Sequence, residues 1–137
     1  MRIFAISNQK GGVGKTTTTV NLAASLMDRK KKVLLIDLDP QGNATSGSGL
    51  NKKNITKSIY DVLIGQEDIK NVIQNSAENF FDVVPATQSL AGAEVELVNI
   101  EEREYILKKQ LSKLRVYDYI LIDCPPALSL LTVNALV

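Results

Sequence analysis

Short, uninterrupted apolar runs alternate along the chain with longer stretches in which apolar residues recur every three or four positions. Ile3 to Ile6, Val33-Leu34-Leu35-Ile36 and Tyr119-Ile120-Leu121-Ile122 are continuously apolar, which predicts strands buried on both faces. Phe80 to Val84 predicts a fourth strand, ended by Pro85. From about Thr16 to Arg29, Val20, Ala23, Ala24 and Met27 fall on one face of a helix. Ile100 to Leu114 predicts a second amphipathic helix with Ile106, Leu107, Leu111 and Leu114 inward, and an apolar helix begins near Ser129. Asn43 to Asn54, rich in Gly, Ser, Asn and Thr, reads as a mobile loop. Strands alternating with crossover helices predict an α/β fold built on a parallel sheet flanked by helices.

Composition narrows this picture mainly by exclusion. A chain of 137 residues is of single-domain size, and 45% hydrophobic residues argue against disorder throughout. Sixteen Lys and Arg against 15 Asp and Glu leave a net charge of +1, which gives no support to a strongly basic nucleic-acid module. With one cysteine, Cys124, and no histidine, the chain cannot form an internal disulfide, a Cys₄ zinc site or a Ser-His-Asp triad. No apolar stretch reaches the roughly 18 to 20 residues of a membrane span. Met1 to Ser7 is too short for a signal peptide, so a reducing intracellular setting is expected. The basic run Arg29 to Lys32 at a helix C-terminus suits the helix dipole; a nucleic-acid contact is the alternative.

The chemistry concentrates in Lys10-Gly11-Gly12-Val13-Gly14-Lys15-Thr16-Thr17, which follows a strand and opens a helix. Glycines there let successive N–H groups turn toward an anion, and the helix N-terminus adds its positive dipole. In a phosphate-binding loop of this kind Lys15 reaches the β- and γ-phosphates, the Thr16 hydroxyl ligates Mg²⁺ and Thr17 reaches the α-phosphate. The usual first glycine of G-x-x-x-x-G-K-[ST] is replaced by Gln9, and a second lysine, Lys10, follows it. Lys10 could serve its own nucleotide or one bound to a second subunit.

Asp37 and Asp39 end the second strand in Asp37-Leu38-Asp39-Pro40-Gln41-Gly42-Asn43, and Asp123 ends the strand before Cys124-Pro125-Pro126. Open parallel sheets bind ligands beyond the carboxyl ends of their strands, so all three carboxylates are expected beside the phosphate loop. There a cation needs oxygen ligands and an attacking water needs an orienting group.

These segments carry a family resemblance over essentially the whole chain. Lys10 to Thr17 resembles the deviant Walker A motif of the ParA/MinD superfamily, and Asp37 to Asn43 (DLDPQGN) and Asp123 to Pro126 (DCPP) resemble its further nucleotide motifs. DLDPQGN followed by Ala44-Thr45-Ser46-Gly47, with Pro85-Ala86-Thr87-Gln88-Ser89-Leu90-Ala91, resembles ParA/Soj partition ATPases in particular. The resemblance implies an ATPase switch that binds ATP and Mg²⁺ through Gly11, Gly12, Val13, Gly14, Lys15, Thr16 and Thr17 and dimerises face to face around nucleotide. It implies that Lys10 reaches the partner's phosphates, that Asp39 orients the hydrolytic water, and that Asp37 and Asp123 join Thr16 in holding Mg²⁺. It further implies non-specific DNA binding by the ATP dimer, stimulation by a ParB-type centromere-binding protein, and a cytoplasmic, nucleoid-associated location.

Relatives in the superfamily suggest two other readings, a MinD-like division regulator at the membrane and a metallocluster carrier or ligase. Cys124 bears on the carrier: cluster ligation takes four thiolates, and a symmetric dimer of this chain would bring two, so a small buried hydrophobe is expected. ParA-type chains continue past the position of Val137, and the chain ends inside an apolar helix. Residues 1–137 are therefore expected to be the N-terminal portion of a larger nucleotide-binding domain, with the phosphate-loop strand left at a hydrophobic sheet edge.

Overall fold

The computed structural model describes residues 1–6, 13–76, 81–125 and 130–136. Its strands are β1 (Arg2–Ile6), β2 (Val33–Asp37), β3 (Gln74–Asn75), β4 (Asp82–Val84) and β5 (Tyr119–Asp123). They form one sheet in the order β1-β5-β2-β4-β3. The pairs β1·β5, β5·β2 and β2·β4 are parallel, and only the short β3 runs antiparallel to its neighbour. The helices are α1 (Val13–Asp28), α2 (Asn43–Gly47), α3 (Ile59–Leu63), α4 (Ala93–Leu97), α5 (Ile106–Leu111) and α6 (Leu130–Leu136).

Successive strand residues point to opposite faces, and the two faces bury separate clusters. Leu34 and Ile36 of β2, with Ile120 and Ile122 of β5, pack against Ile59, Val62 and Leu63 of α3, Leu97 of α4 and Leu107 of α5. Val33, Leu35 and Leu121 face the other way onto Ala23 of α1, with Val20, Ala24 and Met27 packed against them. This is the expected α/β architecture, helices covering both sides of a mostly parallel sheet. Burying each of these Leu or Ile side chains stabilises the fold by about 1.5–3 kcal/mol.

β1 departs from the expectation of burial on both faces. Among the described residues it pairs with β5 only, at the end of the sheet, and Ile3 and Phe4 are each 45% exposed. The apolar edge expected for the phosphate-loop strand is therefore present, partly shielded by the Phe4 ring stacked on Tyr119 at 6.3 Å.

Two further expectations are corrected. The stretch from Asn43 to Asn54 is ordered: it contains α2 and a 3₁₀ turn at Lys52–Asn54, and Ala44 and Thr45 are fully buried. Thr45 and Ser48 turn inward, while Asn43, Ser46 and Asn51 to Asn54 remain exposed. The predicted helix from Ile100 to Leu114 is shorter, since Glu102 takes a left-handed conformation at φ 55 that an α-helix cannot contain. The chain passes through a 3₁₀ turn at Arg103–Tyr105 before α5 starts at Ile106. The predicted inward face survives, with Leu107, Leu111 and Leu114 buried and Ile106 partly so.

α1 ends in a cap formed by the basic run that follows it. Lys31 N–H donates to Leu26 O at 3.2 Å and Lys30 N–H to Met27 O at 2.9 Å, with Lys30 at φ 62. That pair of bonds is a Schellman cap, whose left-handed position glycine normally fills. All four side chains from Arg29 to Lys32 are exposed.

Candidate nucleotide site

Three chain segments meet at the carboxyl end of the sheet. Parallel pairing sets Asp123 beside both Asp37 and Ile6. The pairing continues past the strands, where Leu38 N–H donates to Asp123 O at 2.9 Å and Cys124 N–H to Ile6 O at 3.0 Å. Asp37 and Asp123 thus stand on adjacent strands, both fully buried. The second turn of α1 is tied to the same point, with the Thr19 hydroxyl donating to Asp123 Oδ1 at 3.2 Å.

The sequence-predicted loop residues Lys10, Gly11 and Gly12 lie outside the described residues. Val13, Gly14, Lys15, Thr16 and Thr17 form the opening of α1. An α-helix N-terminus presents backbone N–H groups without intrahelical partners together with a positive dipole end. The Thr19–Asp123 bond sets that end of α1 beside the two carboxylates.

Asp37 accepts three hydrogen bonds. Oδ1 takes one from the Asp39 N–H at 3.1 Å, and Oδ2 takes two from Thr45, from its N–H at 2.8 Å and its hydroxyl at 2.7 Å. Burial pushes its carboxyl up to about 6, against the pull of the Thr45 and Asp39 donors, and the neighbouring Asp123 charge adds to the rise. Two buried carboxylates side by side repel, so positive charge between them would be favourable. Two neighbouring carboxylates, Asp37 and Asp123, suit Mg²⁺, which keeps several waters and takes one or two carboxylates plus substrate phosphates; among the described residues no group of three or more His, Cys, Asp or Glu side chains forms a larger metal cage.

Asp39 is also buried and opens a tight turn. Its Oδ1 accepts from Gln41 N–H at 3.0 Å, and its carbonyl accepts from Gly42 N–H at 2.9 Å. Gly42 sits at φ 67, and a Cβ there would lie 2.9 Å from Lys52 Cδ and 3.3 Å from the Ala86 carbonyl oxygen. Lys52 Nζ donates to Gln41 O at 2.8 Å, closing the turn from outside. Through Lys52 the turn adjoins an open cleft of about 490 Å³ lined also by Lys53, Tyr60, Thr87 and Gln88. Cys124 is fully buried in the core cluster, as a small hydrophobe would be.

Sequence reasoning located the three aspartates and missed Thr45 and Lys52. Neither belongs to a spacing pattern. The one available signal was a run of small hydrogen-bonding residues directly after Asp37 to Asn43.

Residues 1–137 match the model of an AAA domain family, AAA_31. The chain is 55% identical over 136 residues to the chromosome partitioning protein ParA of Myxococcus xanthus, covering 98% of this chain and 48% of that protein. It is 54% identical over 136 residues to the sporulation initiation inhibitor protein Soj of Bacillus subtilis, covering 98% and 54%. Among solved structures, a cobyrinic acid a,c-diamide synthase from Mycobacterium smegmatis with bound ATP analogue and magnesium superposes with a TM-score of 0.95 at 42% identity, covering 99% of this chain and 56% of that one. The chain spans about half the length of these curated relatives.

Proposed function

The chain belongs to the AAA domain family, as a P-loop ATPase of the ParA/MinD type, and from that membership we propose that it is the nucleotide-binding part of a partitioning ATPase working with ATP and Mg²⁺. The observation that carries the site assignment is the register match of Asp37 and Asp123 at the strand ends, tied through Thr19 to the opening of α1.

In this reading the backbone of residues 11–14 and the α1 N-terminus hold the phosphates by N–H donation. Lys15 places its ammonium on the β- and γ-phosphates, and Thr16 with Asp37 and Asp123 holds Mg²⁺. Asp37, whose oxygens already accept three hydrogen bonds, would contribute its negative charge to holding the cation, through water in this reading. Bound Mg²⁺ would supply positive charge that offsets the negative charge of the β- and γ-phosphates during hydrolysis. Asp39 accepts a hydrogen bond from the attacking water and orients it. Lys10 extends to the phosphates of a second copy in an ATP-bound dimer, where a cation supplied in trans is worth roughly 10³–10⁵ in rate. A ParB-type partner stimulates hydrolysis, and the dimer binds DNA without sequence preference.

The full-length protein should form a dimer on addition of Mg²⁺-ATP, measured by light scattering, and should hydrolyse it slowly; Lys15→Ala should abolish both. DNA binding should weaken steeply with salt. ATP turnover with no change of assembly state would refute the switch.

A second reading, a metabolic ligase on the same nucleotide core, is supported by the likeness to the cobyrinic acid a,c-diamide synthase. Turnover that required a small carboxylic acid acceptor and ignored DNA and ParB-type protein would favour it. Among the described residues no helix is long and apolar enough to cross a membrane.

A further inference from the structure

The Thr45 hydroxyl stands between the site and the loop after β4. Its Oγ1 lies 2.7 Å from Asp37 Oδ2 and 2.9 Å from the Ala86 amide nitrogen, and the side chain is fully buried. The chemistry of the two neighbours fixes the direction of both bonds. An amide N–H can only donate, so Oγ1 accepts from Ala86; an ionised carboxylate can only accept, so the single hydroxyl proton points at Asp37. The Thr45 N–H, at 2.8 Å, donates to the same Oδ2. The preceding residue, Pro85, is anchored in turn by the Ile59 N–H, which donates to its carbonyl at 2.9 Å. A buried relay therefore runs from Asp37 through Thr45 to the backbone at Ala86 and on to α3.

We infer that Thr45 is a positioning residue for the magnesium site, its hydroxyl locking the Asp37 carboxylate in the orientation that receives the metal's water and registering that carboxylate against the Pro85–Ala86 backbone. The inference rests on the proposed role of Asp37. Valine at this position keeps the shape and loses both bonds of the hydroxyl; serine keeps both bonds and loses a methyl. Groups that orient a metal ligand typically change metal affinity 10–100-fold when removed.

The test is a Mg²⁺ titration of the full-length protein with a non-hydrolysable ATP analogue, followed by calorimetry or fluorescence, beside thermal melts of each variant. Thr45→Val should raise the half-saturating Mg²⁺ concentration about 10-fold or more, while Thr45→Ser stays within about 3-fold of wild type and analogue binding without Mg²⁺ is unchanged in both. Because the two residues act as one unit, Thr45→Val/Asp37→Asn should be no worse than Asp37→Asn alone. Thr45→Ala repeats the comparison with serine should the valine variant not fold. A valine variant with wild-type Mg²⁺ dependence, a serine variant as defective as valine, or additive losses in the double variant would each overturn the inference. A wild type whose analogue binding ignores Mg²⁺ would overturn the functional reading itself, and the inference with it.

Discussion

Gly42→Ala probes the turn that carries Asp39. The alanine would have to hold φ near 67, and its Cβ would meet Lys52 Cδ at 2.9 Å and the Ala86 carbonyl oxygen at 3.3 Å. Left-handed backbone costs a non-glycine residue about 1–2 kcal/mol. The lysine can swing aside, forfeiting its 2.8 Å bond to Gln41 O, an exposed bond worth about 0.5–1 kcal/mol. The Ala86 carbonyl belongs to backbone and yields less readily. The total is roughly 2–3 kcal/mol of destabilisation, or about 4–12 °C in melting temperature for a protein of 150–250 residues. Gly65→Ala is the internal control, because Gly65 is at φ +83 with nothing within 4 Å of an added Cβ, so it carries the backbone cost alone. Urea unfolding of both variants should show Gly42→Ala the more costly by about 1 kcal/mol, and Lys52→Ala should reduce the gap. Equal losses at the two glycines would refute the packing described around the turn.

Two further outcomes can be checked by unfolding measurements. Lys30 occupies the left-handed position of the α1 cap at φ 62, so Lys30→Gly should stabilise the protein by about 0.5–1 kcal/mol in denaturant melts, whereas a loss would show that the lysine side chain contributes more than its backbone costs. Burial, and the bond its hydroxyl donates to Asp82 Oδ2 at 2.7 Å, push the Tyr117 phenol well above its ordinary value. A group raised on folding stabilises below its unfolded pKa, near 10 for tyrosine, and loses that contribution as pH climbs toward the folded value. Stability should therefore fall above about pH 10, and Tyr117→Phe should flatten the slope; an unchanged alkaline slope would contradict the assignment.

The elements legible in the sequence were those whose pattern packing alone decides. β2 and β5 are apolar on both faces because helices cover both, and α1 shows its buried stripe at Val20, Ala23, Ala24 and Met27. Where polar side chains bond inward, pattern failed. Thr45 and its neighbours read as a loop, yet Thr45 is buried because Asp37 and Ala86 satisfy it. The break at Glu102 carries no Gly or Pro to announce it. By contrast, α3 has a readable start in Ser58 and Asp61, whose side chain accepts from the Ser58 N–H at 2.9 Å, an S-x-x-D capping signature. β3, of two residues, is too short for any period. The aspartates were found because strand ends in a parallel sheet gather ligands; the groups that orient them come from other segments and have no spacing to betray them.

Asp37 and Asp123, with the opening of α1, are proposed to form one Mg²⁺-nucleotide site. A crystal structure of the full-length protein with Mg²⁺ and a non-hydrolysable ATP analogue tests it most directly. The phosphates should lie on residues 11–17 and Mg²⁺ between Thr16 and the two carboxylates, with Asp37 reaching it through water and Lys10 on the phosphates of a second copy. Nucleotide bound away from the carboxyl ends of β1, β2 and β5, or a metal held without either aspartate, would contradict it.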